Sequence, residues 1–567
     1  LPILDGNLQF STVQSNRIAG YTPSGRIGIR TGRWTLTASG SGSFTPVAES
    51  RFTETREQAG QPLPFAGRSD SKSRTNYGRG HFSAVFDPTP KHTAGFDIEY
   101  TERSTHMPTL SRTTLGQTQS DSRYRQHMDG NTLTATANYI WKIDTLGSQF
   151  KLIADYTRYT SDGDNSYHTT TCAPGTLRDS LYESATGSVY DILTADAGLT
   201  RKLPHGLTLR AGLRYTRNDM ADKSRYAAQT QGTWLALPEY SYDQHYTEQI
   251  GAAYASLEYS AGRWELSAGL RGEYTSVASQ AFGRSYFGLF PNVSVSRALN
   301  ALRTWLLVAQ WSRNIERPAF PALNPARIRI SDYSWQSGNP SLRPTYIHRF
   351  SLTAVWKYRY TLTVGGNLHH DLIREIAHRD ATAPDAVYIR PENHYTENHW
   401  FVAASVPAKI TRWWNLSVNA VGVMQRIRLN STDSPATHYL MFADATCSFT
   451  LPAGFFAEAV YRAQSRLYSG NSEVGPRHTL SATVKKQLFG KRLTLFCTLS
   501  NITGCDWEFA SLTDGMRRTI DTGQAWSGRL WKVGAAWNFR TGKKFRARTV
   551  ESAAETQRKR LVKSTEQ

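Results

Sequence analysis

Histidine and carboxylate side chains that could do chemistry are concentrated between residues 369 and 399. Two neighbouring stretches that alternate like long strands carry His369, His370, Asp371, His378, Glu392, His394, Glu397 and His399. His369 and Asp371 would share one face of a strand, where they could form a hydrogen-bonded pair or half of a metal site. His394 and Glu397 are separated by an odd number of positions, which places them on opposite faces of a regular strand. The alternative is that all eight occupy ordinary positions in strands and loops.

Signatures of known catalytic sites are missing from the sequence. It contains no HExxH, no GxSxG, no P-loop and no GxGxxG where a strand would turn into a helix. The four cysteines, Cys172, Cys447, Cys497 and Cys505, show no CxxC spacing typical of a metal site. A disulfide would suit an oxidising compartment, but the sequence does not pair these residues. We therefore predict no enzyme, no catalytic residue, no metal and no cofactor.

Residues 303–344 combine a strand of period two with a long loop punctuated by prolines. The strand places Trp305, Leu307, Ala309 and Trp311 on one face, which is therefore wholly apolar and carries two tryptophans. In the loop, each residue before a proline is biased toward extended backbone, which makes the loop rigid. An apolar, aromatic outer face that leads into a rigid polar loop is typical of an outer-membrane barrel.

The loop also carries a motif that resembles a known family. Its elements follow one another as RP, LNP, D and GNP.L.P. They comprise Arg317, Pro318, Asn324, Pro325, Asp332, Gly338, Asn339 and Pro340. This motif resembles the barrel of TonB-dependent outer-membrane receptors and is most similar to the outer membrane beta-barrel family typical of Bacteroidota. The resemblance covers nearly the whole chain. It implies a gated pore in the outer membrane that takes up a scarce ligand, with a TonB energy-transducing protein pulling on a plug.

Alternation of apolar and polar residues recurs along the chain, as the lipid face and the lumen face of a transmembrane barrel require. Stretches 150–157, 207–216 and 264–274 show it clearly. We predict that the charged residues of these strands face the lumen: Lys151, Asp155, Arg210, Arg214, Arg271 and Glu273. Charges of both signs would hold a polar plug by salt bridges, or would line water in an open pore. The resemblance implies the plug.

Ten short connections alternate with longer polar segments, among them 47–76, 104–130, 160–186, 218–244, 315–343 and 505–525. Outer-membrane barrels have short periplasmic turns and longer extracellular loops, whereas a soluble sandwich has no reason for this asymmetry. Ten turns that each join two strands, with one further strand at each end, predict an all-β, single closed antiparallel barrel of about 22 strands. Tryptophans beside the short turns predict an interfacial girdle: Trp141, Trp264, Trp305, Trp413 and Trp414.

These elements divide the chain into three parts. Residues 1–16 are the start of the barrel or the end of a plug segment, residues 6–539 form the barrel, and residues 540–567 form a basic periplasmic tail. Glu555 and Lys559, four residues apart, predict a short solvated helix in the tail. Because the first residues are too few to form a plug, we expect a plug domain to lie ahead of Leu1.

The net charge of +20 and the isoelectric point near 9.7 would be compatible with a nucleic-acid binder. The basic residues are, however, spread over strands and loops, and no recognition module is found, so we predict no nucleic-acid partner. The expected partners are outer-membrane lipid and lipopolysaccharide, the plug domain, the TonB protein, and an unidentified small-molecule, glycan or peptide ligand.

The proline-rich loop has two interpretations. In the functional one, Arg327, Arg329, Tyr333 and Trp335 capture the ligand at an extracellular mouth. In the structural one, which we favour for the GNPSLRP part, the motif holds a loop shape shared by transporters of many substrates, because a shared motif cannot encode a variable substrate. Two rival functions remain: a passive porin-like channel without a plug, and a barrel enzyme with an acid–His or Ser–His pair near the rim.

Overall fold

The barrel is closed and consists of 22 antiparallel strands, within a computed structural model that describes residues 3–280, 282–331, 333–381, 383, 385–504, 506–542 and 549–561. The first eleven strands are β1 (Ile3–Gln14), β2 (Ile18–Thr31), β3 (Trp34–Gln58), β4 (Gln61–Thr89), β5 (His92–Leu115), β6 (Thr118–Lys142), β7 (Gln149–Ala173), β8 (Thr176–Leu203), β9 (Leu207–Thr230), β10 (Tyr242–Ala261) and β11 (Trp264–Ser279). The others are β12 (Gly283–Ala298), β13 (Trp305–Glu316), β14 (Thr345–Trp356), β15 (Tyr360–Arg379), β16 (Val387–Lys409), β17 (Trp414–Arg428), β18 (Ala436–Leu451), β19 (Phe455–Gln464), β20 (Arg477–Leu488), β21 (Leu493–Ser500) and β22 (Leu530–Thr541).

Each strand pairs with its neighbours in the chain, and β22 closes the barrel against β1, with Leu4 opposite Thr541 and Gln14 opposite Trp531. Ten connections at one end span two to six residues each. We call this end the short-turn end and the opposite end the long-loop end. The predicted barrel, its strand number and the common end of its short turns are therefore confirmed. Residues 203–206 lie at the short-turn end, and residues 338–340 lie in a connection at the other.

Several of the predicted long loops are not irregular, because the barrel strands continue through them as paired hairpins. Strands β3 and β4 remain paired as far as Gln58 and Gln61, and β7 and β8 as far as Ala173 and Thr176. At the tip of the first hairpin, Ala59 and Gly60 have φ values of 51° and 77°, as a two-residue turn of type I′ requires. Beyond the bilayer both faces of a hairpin meet water, so a paired strand there has the polar composition of a loop.

The outer face of the barrel is apolar, as a lipid-facing surface requires. Large apolar side chains are exposed on it, including the predicted outward residues Leu209, Leu213, Trp264, Leu266, Leu270 and Trp311. Tryptophans beside the short turns are half-exposed and form the aromatic girdle: Trp34, Trp141, Trp264, Trp305, Trp356 and Trp413. Among the described residues, no helix is long and apolar enough to cross a membrane.

The connection between β13 and β14, residues 317–344, folds back into the barrel, and we call it the motif loop. It contains the short helix α1 (Phe320–Leu323) and a small hairpin of strands Ile328–Ser331 and Ser334–Gln336. Phe320, Leu323 and Leu342 are buried in one cluster with side chains of the inner wall, namely Tyr190, Ile192, Met220, Tyr246 and Val277. Apolar burial of this kind stabilises the inward conformation of the loop.

Residues 549–561, which we call the tail segment, also lie inside the barrel. The segment contains α2 (Glu555–Arg558) and a 3-10 turn (Lys559–Leu561), and the predicted Glu555–Lys559 pair is present at 3.0 Å. The structure differs from the predicted solvated helix because Ala554, Gln557 and Arg560 are buried against the barrel. The predicted basic patch at residues 543–548 and the last residues, 562–567, lie outside the described residues.

The remaining short elements lie at both ends of the barrel. Short strands span Thr233–Ala236, Leu467–Ser469, Ser472–Val474, Trp507–Thr513 and Met516–Gly523, and 3-10 turns span Pro238–Tyr240 and Pro452–Gly454. Within the described ranges Cys172, Cys447 and Cys497 are unpaired, and Cys505 lies outside them.

Candidate functional site

Charged side chains of the inner wall form ion pairs between neighbouring strands or along one strand. Strand alternation turns these residues away from the apolar outer face. The pairs are Arg210–Glu258, Arg214–Asp196 and Arg271–Glu273, with N–O distances of 2.6, 2.8 and 2.7 Å. Four of the six residues predicted to face the lumen, Arg210, Arg214, Arg271 and Glu273, are therefore engaged with the wall itself.

Arg317, the first residue of the motif, anchors the loop to two wall carboxylates. Its Nη2 lies 2.6 Å from Oε2 of Glu273, and its Nε lies 3.8 Å from Oε1 of Glu248. All three side chains are at most 8 % exposed, so each charge depends on its partners. Burial alone would lower the pKa of Arg317, but Tyr286 and the two carboxylates outweigh it and raise that pKa. The guanidinium therefore remains charged.

Two segments of the motif loop cross at Asn324 and Gly338. The Asn324 side chain donates to Asp222 at 2.9 Å and accepts from the Tyr242 hydroxyl at 2.6 Å. A Cβ on Gly338 would lie 2.0 Å from the Asn324 carbonyl oxygen, closer than any side chain allows. The GNP segment thus passes directly over the LNP segment.

Other motif residues also make contacts within the loop and its surroundings. The backbone N–H of Asn339 donates to Ala322 O at 2.7 Å, and its side chain donates to Pro391 O at 3.0 Å. Pro318 is buried, whereas Pro325 and Pro340 are partly exposed in irregular or turn segments. Asp332 lies outside the described residues.

The residues predicted to capture ligand are engaged by their neighbours at the long-loop end. The Arg327 guanidinium lies over the Trp335 ring at 3.8 Å and over the Tyr240 ring at 4.9 Å. Arg329 lies over the Tyr182 ring at 5.5 Å. The Tyr333 ring meets Phe65 edge-on, with ring centroids 5.8 Å apart. These cation–π and aromatic contacts tie the small hairpin of the motif loop to the surrounding strands.

A cavity of about 390 Å³ lies between the motif loop and β15. Its lining is evenly polar and apolar and includes Arg317, Gln336, His369, Arg374 and Glu375. That volume falls within the size range of small-molecule sites. It places polar groups of the loop and of the wall around one ligand-sized space.

The tail segment binds the inner wall through the other two residues predicted to face the lumen. Lys151 Nζ lies 2.5 Å from Oε2 of Glu551, and Asp155 accepts the backbone N–H of Ala553 at 2.7 Å. Farther along, Arg560 forms an ion pair with Glu248. Lys151 and Asp155 therefore contact a segment of this same chain, which the sequence analysis did not foresee.

The sequence matches the family model of the outer membrane protein beta-barrel family over residues 141–534, which is more than half of the chain. The chain belongs to the outer membrane protein beta-barrel family. Its location is therefore the cell outer membrane. The match includes β7–β21, the motif loop and part of β22.

Solved structures of outer-membrane receptors share this fold. The siderophore receptor PirA from Pseudomonas aeruginosa is 12 % identical with a TM-score of 0.57, and the match covers 94 % of this chain and 80 % of that one. A mutant of the ferric enterobactin receptor PfeA from Pseudomonas aeruginosa is 14 % identical with a TM-score of 0.59, and the match covers 94 % of this chain and 80 % of that one. The ferric yersiniabactin uptake receptor FyuA from Yersinia pestis is 11 % identical with a TM-score of 0.58, and the match again covers 94 % of this chain and 80 % of that one. No curated protein matches the sequence.

In the histidine-rich group of this family member, His378 lies 3.0 Å from Glu392, and Asp371, predicted as a partner of His369, pairs with Arg343 at 2.6 Å. The other part of the group is a hydrogen-bonded network around Glu397, which is fully buried. Its carboxylate accepts from His399 at 2.8 Å, from Gln425 at 2.8 Å and from Arg374 at 3.0 Å. The side-chain nitrogen of His369 lies 2.7 Å from the Glu397 carbonyl oxygen. No group of three or more His, Cys, Asp or Glu residues within the described chain is placed to hold a metal ion.

The prediction that His394 and Glu397 lie apart is wrong. Nδ1 of His394 lies 3.6 Å from Oε2 of Glu397 despite the odd spacing. The ladder passes from the His370–Thr396 pair to the Leu372–His394 pair, and Asp371 between them adopts a φ of 57°. The ladder is therefore irregular between Thr396 and His394, and the alternation of faces is no guide across such a point. The premise of a regular strand failed here.

Two deeply buried residues of the site, Glu248 and Asn218, were not predicted from the sequence. Glu248 pairs with Arg317 and Arg560, and Asn218 donates to Glu248 at 2.8 Å. Their positions on the lumen face follow from the alternation of β9 and β10, which identifies Arg214 in the same way. The alternation thus indicated that these wall residues face the lumen. No nearby sequence feature indicated that the motif loop and the tail segment would contact them.

Proposed function

We propose that this chain is the barrel of a TonB-dependent outer-membrane transporter that takes up a scarce ligand. The observation that carries the proposal is the inward-folded motif loop, held by buried ion pairs inside a 22-stranded barrel. Barrels of this strand number have a lumen wide enough to require filling. A loop and an ionic inner wall at the mouth suit controlled passage of a ligand better than free diffusion.

The similar structures support the same proposal. PirA is a siderophore receptor, PfeA a ferric enterobactin receptor and FyuA a ferric yersiniabactin uptake receptor. Their likeness to this chain extends over 94 % of it. Ferric siderophores are therefore the first ligands to test, ahead of glycans and peptides. The cavity beside the motif loop and the hairpins of the long-loop end are where we expect a ligand to bind.

Uptake in whole cells tests the proposal directly. The 567-residue chain is compared with a form in which a plug domain precedes Leu1, each in hosts with and without the TonB protein. We expect the plug-bearing form to accumulate a radiolabelled ferric siderophore in a saturable manner and only when the TonB protein is present. The chain without a plug should permit TonB-independent permeation.

Two results would reject the proposal. Saturable uptake that is identical with and without the TonB protein would remove the energy-coupled mechanism. Free permeation of unrelated solutes through the plug-bearing form would identify a passive porin-like channel. Cells that carry the empty vector report background uptake in both hosts.

A further inference from the structure

The tail segment runs along the lumen from the short-turn end toward the motif loop. The wall residues that it contacts lie progressively farther from the short turns. Lys151 and Asp155 are the third and seventh residues of β7, and Asn218 is the twelfth residue of β9. Glu248, the last contact along the segment, is the fourteenth residue from the short-turn end of β10. The segment thus spans much of the depth of the barrel.

The inner wall binds this segment through specific hydrogen bonds and buries several of its side chains. Asp155 accepts hydrogen bonds from the Ala553 backbone at 2.7 Å and from Thr136 at 2.5 Å. Asn218 donates to Gln557 at 3.3 Å. Ala554 has no exposed surface, and Gln557 and Arg560 are less than a tenth exposed. A segment that merely rested in the lumen would keep such polar groups in water.

Arg560 joins the wall to the motif loop. Its guanidinium forms an ion pair with Glu248, donates to Pro318 O at 2.9 Å and lies over the Phe320 ring at 4.2 Å. Leu561 packs against the same apolar cluster that holds Phe320 and Leu342. Glu248 in turn lies between Arg560 and Arg317. One side chain of the tail therefore supports both the ion-pair network and the helix of the loop.

We propose that the tail segment is an internal latch, which docks on the inner wall and holds the motif loop in its inward position. Strand β22 ends at Thr541 at the short-turn end, and residues 543–548 connect it to the latch. Movement of the segment toward the short-turn end would withdraw Arg560 from Glu248 and Pro318. The motif loop would then lose its support and become free at the long-loop end. The two ends of the barrel are coupled in this way without any contribution from a plug.

Thiol burial in the motif loop tests the latch. Leu342 has no exposed surface, so a cysteine there is protected from a water-soluble maleimide while the loop is docked. The reporter is the full chain with Leu342→Cys and with Cys172, Cys447, Cys497 and Cys505 replaced by serine. In this background Arg560→Ala should raise the labelling rate by about tenfold or more, because breaking a buried charge pair leaves Glu248 without one of its partners.

The matched control is Lys559→Ala. This substitution removes the same charge from the adjacent residue, whose side chain is 62 % exposed and pairs with Glu555. It should leave the labelling rate unchanged. A second variant, Ala554→Trp, displaces the segment by bulk without touching the ion pairs, and it should raise the rate as Arg560→Ala does. Heat-modifiable mobility on gels shows whether each barrel has folded.

Either of two outcomes overturns the proposal. The first is that folded Arg560→Ala and Ala554→Trp barrels, or Ala554→Trp alone if the other does not fold, label at the control rate. The second is that Lys559→Ala accelerates labelling as much as Arg560→Ala, which would mean that general charge and not docking controls the loop. Because no transported ligand enters this test, its result is independent of the transport assay.

Discussion

Single residues of the motif serve the shape of the loop through contacts that only their chemistry allows. Gly338 is the clearest case, since its backbone passes over the Asn324 carbonyl with no room for a side chain. The Asn324 amide donates one hydrogen bond and accepts another. Arg317 is paired with two carboxylates, which keep it charged inside the barrel. These contacts support the structural interpretation of the motif over direct capture of a ligand by the same residues.

Substitution Gly338→Ala should destabilise the motif loop by about 1–3 kcal/mol, because the added methyl meets backbone that cannot move away cheaply. The readout is the rate at which trypsin cleaves the loop in the folded barrel, which should rise. Gly422→Ala is the control, since a Cβ there meets no atom within 4 Å. Equal cleavage of the two variants would contradict the close approach.

A second prediction concerns which side chains of β11 point to lipid and which point to the lumen. Leu270 is 50 % exposed on the outer surface, so Leu270→Lys should cost about 2–4 kcal/mol if the position lies near the middle of the bilayer. Folding into lipid vesicles, measured against urea, reports this cost. Gly269 is a poor control because an added Cβ would lie 2.7 Å from Asn292. Ser267→Lys on the lumen face is the better control and should cost less, whereas equal costs would count against the assigned faces.

Paired strands, rather than irregular loops, form much of the long-loop end. The hairpins β3–β4, β5–β6 and β7–β8 each end in a turn of two residues. A hairpin whose backbone groups are paired keeps its side chains at defined positions in water. This arrangement explains how Tyr182 on β8 and Phe65 on β4 can both hold residues of the motif loop.

Hydrogen exchange should distinguish these hairpins from true loops. Backbone amides in residues 160–186 pair across β7 and β8 and should exchange slowly, because exchange requires local opening of the ladder. Amides of residues 429–435, between β17 and β18, should exchange rapidly. Mass spectrometry of the folded chain in detergent measures both segments in one experiment. Rapid exchange throughout 160–186 would mean that the segment is an ordinary flexible loop.

At the level of the complete barrel, the loop and the latch occupy the lumen together. Their contacts lie on β4, on β7–β12 and on β15–β16. The long-loop end is therefore held by elements that are remote from one another in the chain. Passage of a ligand would require the loop, and any plug domain, to move aside.

Electrical recordings in planar bilayers test how much the motif loop obstructs ion flow through the lumen. The chain without a plug should give large, weakly selective currents, since a barrel of this strand number encloses a wide lumen. Replacing residues 319–342 by a short Gly-Ser linker should increase the current per channel. Shortening the β5–β6 hairpin between the paired residues Arg112 and Asp121 is the control and should not. A silent chain would contradict the argument that a plug is needed to close the lumen, and equal currents from both variants would contradict the predicted role of the loop.

The barrel itself could be predicted from the sequence because its determinants are local. Each spanning strand must present apolar residues to lipid and polar ones to the lumen. The alternation therefore predicts that Leu270 faces lipid and that Arg271 faces the lumen. The short turns between strands, with tryptophans such as Trp264 and Trp305 beside them, mark the end of every strand pair. Strand number, facing and closure follow from these repeated signals.

Tertiary structure alone decided what fills the barrel. Arg560 and Glu248 are 312 residues apart, and Ala553 and Asp155 are 398 apart, so no periodicity in the chain relates them. Polar composition is the same for a solvated tail and for a tail bound to a polar inner wall, and therefore it cannot distinguish them. The contact between His394 and Glu397 likewise lies across an irregular point of the β15–β16 ladder, where Asp371 has a φ of 57°, and parity does not encode it. Closing the barrel brought these partners together, and their pairing away from water then set the positions of loop and tail.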